Sequence, residues 1–190
     1  MNLRHLTYSL ITTTFLLSGC SDDPFNKYGS LTDDGMVNMR IQLSTANESS
    51  IITRTTNPSN SEKELKNAVI MVFDKVADNG MLRQVPVEAT VTNSSSNPTL
   101  TAKLVPETSC YLCVVANITT SQIQELCALQ AGKSLSDIRI MLKANISKTD
   151  TSIGIFKPLP MSGWSGQTTI SATTASPTIP LSRSVARIDV

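Results

Sequence analysis

The stretch Val37-Asn38-Met39-Arg40-Ile41-Gln42-Leu43 alternates apolar and polar residues without interruption. A period of two is typical of a β-strand with one buried face, because successive side chains of a strand point to opposite sides. The pattern therefore predicts a strand that places Val37, Met39, Ile41 and Leu43 in the core. The polar residues between them are expected to face solvent.

Strand-like segments recur along the rest of the chain. Ala68 to Phe73 is a continuous apolar run, short enough for a central strand that is covered on both sides. Leu82 to Val91, Thr99 to Val105, Cys110 to Asn117 and Thr178 to Val190 are also strand-like, and clusters of turn-forming residues separate most of them. About seven short strands with one short helical insertion predict a mainly β fold, an antiparallel β-sandwich.

The helical insertion is predicted at Ser121 to Gln130, where the apolar period changes from two to that of a helix. Ser121 is its expected N-cap, with Gln124 reaching back to it. A second segment, Ser136 to Ala144, fits either a short helix or a strand.

A loop is predicted after these helical segments. Gly154 to Gln167 has no regular period, and Met161 to Trp164 resembles a tight turn within it. A single tryptophan beside a glycine is more typical of a loop residue packed on the core than of a binding surface, so Trp164 is expected to be such an anchor.

The N-terminus carries the pattern of an export signal. Arg4 precedes an apolar run that ends at Leu17, and this run is too short and too rich in threonine to span a bilayer. Residues 1–19 are therefore predicted to be a signal peptide cleaved between Gly19 and Cys20. A cysteine at this place resembles the lipobox of bacterial lipoproteins, which makes Cys20 the expected lipid-anchor site. The alternative is an ordinary signal peptide with an incidental thiol.

The region after the signal divides into a linker and one domain. Residues 20–35 are predicted to form an acidic flexible linker. The length after the signal fits one domain of ordinary size or two small ones, and residues 36–190 are predicted to form one β-sandwich domain. Ser21-Asp22-Asp23 resembles the export tag of Bacteroidota lipoproteins that are exposed on the outer membrane, and this implies a surface location. A merely solvated linker is the alternative.

Composition excludes several functions. The chain has 16 Lys and Arg against 15 Asp and Glu, with no basic patch, so nucleic-acid binding has no support. The only histidine, His5, lies in the predicted signal, which removes histidine-dependent catalysis and histidine-ligated zinc. Cys110 and Cys113 are expected on opposite faces of one strand, and Cys127 is expected to face the core from a helix. No catalytic, metal or cofactor site is predicted.

Several segments together resemble the N-terminal half of Bacteroidota fimbrillins, the FimA-like major fimbrial subunits. The resemblance covers residues 17–190 and is one of order and spacing. Its segments are the lipobox cysteine, the first alternating strand, Thr53-Arg54-Thr55, Val69 to Asp74, Tyr111 to Asn117, Pro160-Met161-Ser162-Gly163 and Leu181-Ser182-Arg183-Ser184-Val185-Ala186-Arg187. It implies a transthyretin-like β-sandwich, export as a lipoprotein, and a fimbrial role that supports adhesion.

The resemblance also implies an assembly mechanism. An Arg-specific protease would cut between Arg54 and Thr55, and the strand of Val37, Met39, Ile41 and Leu43 would be exchanged for a strand of another subunit. A surface arginine beside an exposed loop is the alternative for Arg54. Fimbrillins have a second β-sandwich domain, so we expect this sequence to be either a fragment or a truncated relative.

Two alternatives keep the lipid anchor and change the function. One is a fimbrial anchor subunit that is never cleaved and stays in the outer membrane. The other is a surface glycan-binding lipoprotein, which would need several aromatic side chains on one face, although aromatic residues make up 4% of the chain.

Overall fold

The computed structural model describes residues 30–31, 34–45, 65–93, 98–146 and 160–183. These ranges contain nine strands and two helices. In chain order the elements are β1 (Ser30–Leu31), β2 (Val37–Thr45), β3 (Ala68–Phe73), β4 (Val87–Thr92), β5 (Thr99–Leu104), β6 (Glu107–Ala116), α1 (Thr120–Cys127), α2 (Leu135–Ile146), β7 (Met161–Trp164), β8 (Thr168–Ile170) and β9 (Thr178–Arg183).

Seven of the strands close into a barrel, which we call the ring. Its order is β2-β5-β4-β3-β6-β7-β9, and β9 returns to β2. Every pair in the ring is antiparallel except β2–β9, which is parallel. β1, which lies within the predicted linker, pairs antiparallel with the start of β2, and β8 pairs with β6. The predicted mainly β, antiparallel character is confirmed, but the pairings form a closed ring where two separate sheets were expected.

Closure depends on two strands that change partner along their length. β4 pairs with β3 through Val87–Ala89 and then with β5 through Thr90–Thr92. β9 pairs with β2 through Thr178–Leu181 and with β7 through Ser182–Arg183. Strands that pass from one sheet direction to another form corners. In a sandwich the two sheets are not joined by strand pairing. Here the two corners join them, and for this reason the strands form a closed ring.

The ring encloses the larger of two apolar clusters. β2 contributes Val37, Met39, Ile41 and Leu43, as its alternation predicts, and β3 contributes Ala68, Ile70 and Val72. The other residues of β3 (Val69, Met71 and Phe73) point outward into the second cluster, where α1 and α2 cover them with Ile123, Leu126, Leu135 and Ile138. The prediction of a central strand covered on both sides is therefore confirmed for β3.

The predicted turn at Met161–Trp164 is wrong, because these residues form strand β7. Met161 and Gly163 are buried whereas Ser162 and Trp164 are half-buried, and β7 pairs with both β6 and β9. Four residues that include a glycine, and of which only Trp164 favours a strand, carry little strand signal by themselves. Pairing with two neighbours that lie elsewhere in the sequence determines this strand.

The start of strand β4 also differs from the prediction. Regular pairing of β4 begins at Val87, whereas Leu82 makes only an isolated bridge to Phe73. Pro86 lies directly before β4 and has no backbone N–H to contribute to a ladder. The predicted strand from Leu82 to Val91 is thus about half its expected length.

The helical region differs in its cap and in its number of helices. α1 is capped by Thr119, whose Oγ1 accepts from the Gln122 N–H at 3.3 Å while the Gln122 side chain bonds the Thr119 N–H. The predicted cap, Ser121, lies inside the helix. The prediction of a capping box is thus correct, but its position is two residues too late in the sequence. The segment that fitted either structure is helix α2, so the insertion contains two helices.

Candidate functional site

β2 occupies a slot between β5 and β9, which we call the β2 slot. On the β5 side Val37 lies opposite Leu104, Met39 opposite Ala102 and Ile41 opposite Leu100. On the β9 side Leu43 lies opposite Ile179. Val37, Met39, Ile41 and Leu43 are each at most 2% exposed. The structure therefore brings the four predicted strand residues together inside the ring, where β2 pairs with β5 through Val37–Gln42 and with β9 through Gln42–Thr45.

Two segments of the fimbrillin resemblance, Met161-Ser162-Gly163 and Leu181-Ser182-Arg183, are neighbours in the ring. Ser162 of β7 lies opposite Ser182 of β9, and Met161 lies opposite Arg183. This short contact joins β7 to the strand that closes the ring on β2. These two segments thus form a contact between β-strands.

Gly163 allows β9 to approach β7 closely. A Cβ atom at this position would overlap the carbonyl oxygen of Pro180 and lie 2.9 Å from Ile179 Cγ2. Glycine is required where two backbones come this near. The sequence pattern contained the signal, but only the paired strands explain it.

Polar side chains replace a missing strand at two places in the ring. Between β7 and β8, the buried Ser165 accepts from the Leu112 N–H through Oγ at 2.8 Å, and its own N–H donates to the Leu112 carbonyl at 2.9 Å. Beyond the end of β5, Gln84 Oε1 accepts from the Val105 N–H at 2.8 Å. These bonds satisfy backbone groups that would otherwise lack a partner where strands diverge. Neither residue is predicted from the sequence.

A third such side chain fastens the segment Leu65–Asn67, which enters β3. Asn67 Oδ1 accepts from the Ile118 N–H at 3.0 Å, and Asn67 Nδ2 donates to the Ile118 carbonyl at 2.9 Å. The Leu65 side chain is buried in the ring interior. The Asn67 amide thus makes the two hydrogen bonds that the backbone of a neighbouring strand would make, at the corner where β4 stops pairing with β3.

Two more asparagines complete this corner clamp, which consists of Asn67, Asn93 and Asn117. Asn117 has a left-handed φ of 57°, and its Oδ1 accepts from the Lys66 N–H at 2.9 Å. Asn93 Nδ2 donates to the Leu65 carbonyl at 3.0 Å. Asparagine tolerates the left-handed region better than most residues do. The signal available in the sequence was an asparagine directly before β3 and another directly after β6.

Asn67→Ala should lower the free energy of unfolding by about 1–3 kcal/mol, because it leaves both part-buried backbone groups of Ile118 unpaired. Urea denaturation followed by circular dichroism measures the change. Gln124→Ala removes an exposed amide on α1 and should alter stability by less than about 0.5 kcal/mol. Equal effects of the two substitutions would contradict the clamp.

The cysteines lie on the predicted sides of their elements. Cys110 belongs to the ring interior, and Cys113 belongs to the second cluster across the sheet. Burial raises the pKa of the Cys110 thiol to about 11 and that of Cys113 to about 12. Both thiols therefore stay protonated near neutral pH and are poor nucleophiles. Cys127 is half-buried and packs against the second cluster from α1.

The part of the chain that the structure describes contains no group of three or more His, Cys, Asp or Glu residues placed to hold a metal ion. Trp164 packs against Phe73 with a ring-centroid distance of 5.3 Å. It is a core-packing residue as predicted, although it lies on a strand. Within the described ranges, neither helix is long and apolar enough to cross a membrane.

Four of the predicted site residues lie outside the described ranges. These are Gly19 and Cys20 at the signal cleavage site and Arg54 and Thr55 at the processing site. In the sequence, Arg54 lies between the end of β2 and the start of β3.

The chain matches a known family over most of its length. A sequence model of the fimbrillin-A associated anchor proteins Mfa1 and Mfa2 matches residues 31–190, a range that includes every element of the ring. Comparison with curated proteins and with solved structures gave no match. The resemblance to fimbrillins is thus confirmed at the level of the family, and the chain belongs to the fimbrillin-A associated anchor proteins Mfa1 and Mfa2.

Proposed function

We propose that this chain is a structural subunit of a cell-surface fimbria that is exported as an outer-membrane lipoprotein and joined to its neighbours by exchange of β2. The observation that supports exchange is the β2 slot. Four buried side chains fill it, and the strands on its two sides already pair with the rest of the ring. Removing β2 would open a gap one strand wide between β5 and β9. The proposal assigns the chain a structural role in adhesion without catalysis.

Energetics favours replacement of β2 over an empty slot. Burial of each apolar side chain contributes about 1.5–3 kcal/mol, and β2 buries four. Their loss would be comparable with the entire stability of a typical domain, about 5–15 kcal/mol. It would also leave two unpaired strand edges, which readily pair with other chains. A strand from another subunit satisfies both requirements.

Cleavage at Arg54 supplies the trigger in this proposal. Because Arg54 precedes β3 and follows β2 in the chain, a cut there removes the covalent link between β2 and the rest of the ring. The lipid at Cys20 would stay with the released N-terminal piece. An Arg-specific protease and other fimbrial subunits are therefore the proposed partners, together with the outer membrane.

Arg54→Ala should keep the protein full-length, lipidated and monomeric on the cell surface, because the link between β2 and β3 persists. Mass spectrometry of the mature N-terminus measures this, and wild-type fimbriae should contain a species that begins at Thr55. Arg83→Ala, which removes an exposed arginine elsewhere, should be processed normally. Assembled fimbriae that contain only acylated Cys20 as N-terminus would contradict cleavage.

A second candidate function is an anchor subunit whose own β2 stays in place. The description of the matching family, which names anchor proteins, favours it. In this case the ring is complete as it stands, and the lipid remains attached to the assembled protein. The N-terminal measurement separates the two candidates, since an anchor keeps acylated Cys20.

Cys20→Ala should abolish acylation and release the protein from membrane fractions, because two or three acyl chains hold a protein firmly whereas none are left on the variant. Labelling with palmitate and sedimentation with the outer membrane measure the effect. Ser18→Ala keeps a small residue before the cleavage site and should still be acylated. A Cys20→Ala protein that still takes up palmitate would contradict the lipid-anchor assignment.

A further inference from the structure

Side-chain sizes alternate across the boundary between β2 and β5. The long Met39 lies opposite the small Ala102, whereas the shorter, β-branched Val37 and Ile41 lie opposite Leu104 and Leu100. Residues directly opposite each other on antiparallel strands have Cβ atoms about 4.5–5.5 Å apart, so the two side chains share one volume. Because the interior is close-packed, each position of the slot accepts only a limited size.

Two proline carbonyls bond β2 at the place where its pairing changes from β5 to β9. The Leu43 N–H donates to the Pro98 carbonyl at 3.0 Å, and the Gln42 N–H donates to the Pro177 carbonyl at 2.9 Å. Pro98 directly precedes β5, and Pro177 directly precedes β9. Two consecutive N–H groups of β2 thus bond opposite walls of the slot. A strand that lacks either N–H, or that runs in the reverse direction, loses this arrangement.

Direction is further determined by the unlike walls. β2 runs antiparallel to β5 and parallel to β9, and antiparallel and parallel ladders have different hydrogen-bond patterns. A reversed strand would exchange the two patterns along both walls.

We infer that the β2 slot selects its incoming strand by direction and by the order of side-chain sizes, with Ala102 as the main specificity-determining residue. The partner is an extended segment of another subunit that runs antiparallel to β5. At positions equivalent to Val37, Met39 and Ile41 it carries a β-branched, a long unbranched and a β-branched residue. It has no proline at the positions equivalent to Gln42 and Leu43. This inference rests on the proposed strand exchange for its biological role.

A size-swap cycle in the full chain tests the selection by size. Met39→Ala leaves a cavity opposite Ala102, and Ala102→Met overfills the same space, so each should lower the folding equilibrium constant by at least about tenfold. The double variant restores the summed volume and should recover most of that loss. In the control, Ile41→Ala combined with Ala102→Met should show no recovery, because Ile41 lies opposite Leu100. Additive losses in the Met39–Ala102 pair would overturn the inference.

Peptide uptake tests the same rule on an incoming strand. The full chain is cut at Arg54 by an Arg-specific protease, and the protease is inhibited before labelled peptides are added. One peptide has the Met36–Thr45 sequence, and the other carries Val37→Met and Met39→Val, which exchange the two sizes without changing composition. The native order should be taken up at least about tenfold more than the exchanged order, and equal uptake would overturn the inference. A coupled size-swap cycle without uptake of either peptide would support the inference for the slot and count against strand exchange.

Discussion

Ile41→Asp is expected to abolish cooperative folding of the ring. Ile41 is fully buried at the middle of β2, and its replacement loses about 1.5–3 kcal/mol of apolar burial. The carboxylate would also be buried without an opposite charge, and this costs several kcal/mol more. The total is comparable with the whole stability of a typical domain. Urea denaturation followed by far-ultraviolet circular dichroism, together with size-exclusion elution, measures the loss.

Gln42→Asp is the matched control on the same strand. The Gln42 side chain is exposed, and its bond to Pro177 uses the backbone N–H, which the substitution retains. The control should therefore change the free energy of unfolding by less than about 0.5 kcal/mol. If Ile41→Asp unfolds at the same urea concentration as Gln42→Asp, β2 does not fill the ring and the slot as described is wrong.

Gly163→Ala is expected to open the ring at β9. The added methyl group would overlap the Pro180 carbonyl oxygen and lie 3.0 Å from Leu181 Cδ2. Backbone cannot move aside as a flexible side chain can, so β9 must shift away from β7. Overfilling of a packed site costs about 1–3 kcal/mol and occasionally more. We expect the upper part of that range, since β9 also pairs with β2.

Gly166→Ala is the control, because a Cβ atom there would have no neighbour within 4 Å. Its effect on stability should be within about 0.5 kcal/mol of zero. Amide hydrogen exchange adds a local measurement. In Gly163→Ala the amides of β2 and β9 should lose more protection than those of β3. Equal stability of the two alanine variants would show that the close approach of β9 is not required.

The strands with a regular apolar pattern were predictable from the sequence. β2 alternates strictly, and β3 is continuously apolar, because one buries a single face and the other buries both. The opposite sides of Cys110 and Cys113 followed from the same geometry, since residues three apart on a strand face opposite ways. These predictions succeeded because they depend only on the neighbours of each residue along the chain.

The residues that complete the ring were missed for a common reason. The sequence predicts a turn at β7 and gives no role to Asn67 or Ser165, because the partners of these residues lie far away in the sequence. Asparagine is usually found at the surface of a protein. Only the position of Ile118 in the fold shows that the Asn67 amide bonds a backbone N–H and carbonyl as a neighbouring strand would. Gly163 belongs to a segment that the sequence singles out, but the reason for the glycine is the nearby carbonyl of Pro180, which only the structure shows.

The sequence by itself determined which side chains of β2 turn inward, that both faces of β3 are buried, that α1 begins with a capping box, and membership of a fimbrillin-related family through the order of its segments. Only the tertiary structure decided that β9 returns to β2 and closes seven strands into one ring. Strand pairing uses backbone N–H and carbonyl groups that nearly every residue shares, so the sequence of a strand does not specify its neighbour. The choice of neighbour comes from the packing of the whole interior. β4 and β9 each change pairing partner, and the ring that they close covers four side chains of β2 together: Val37, Met39, Ile41 and Leu43.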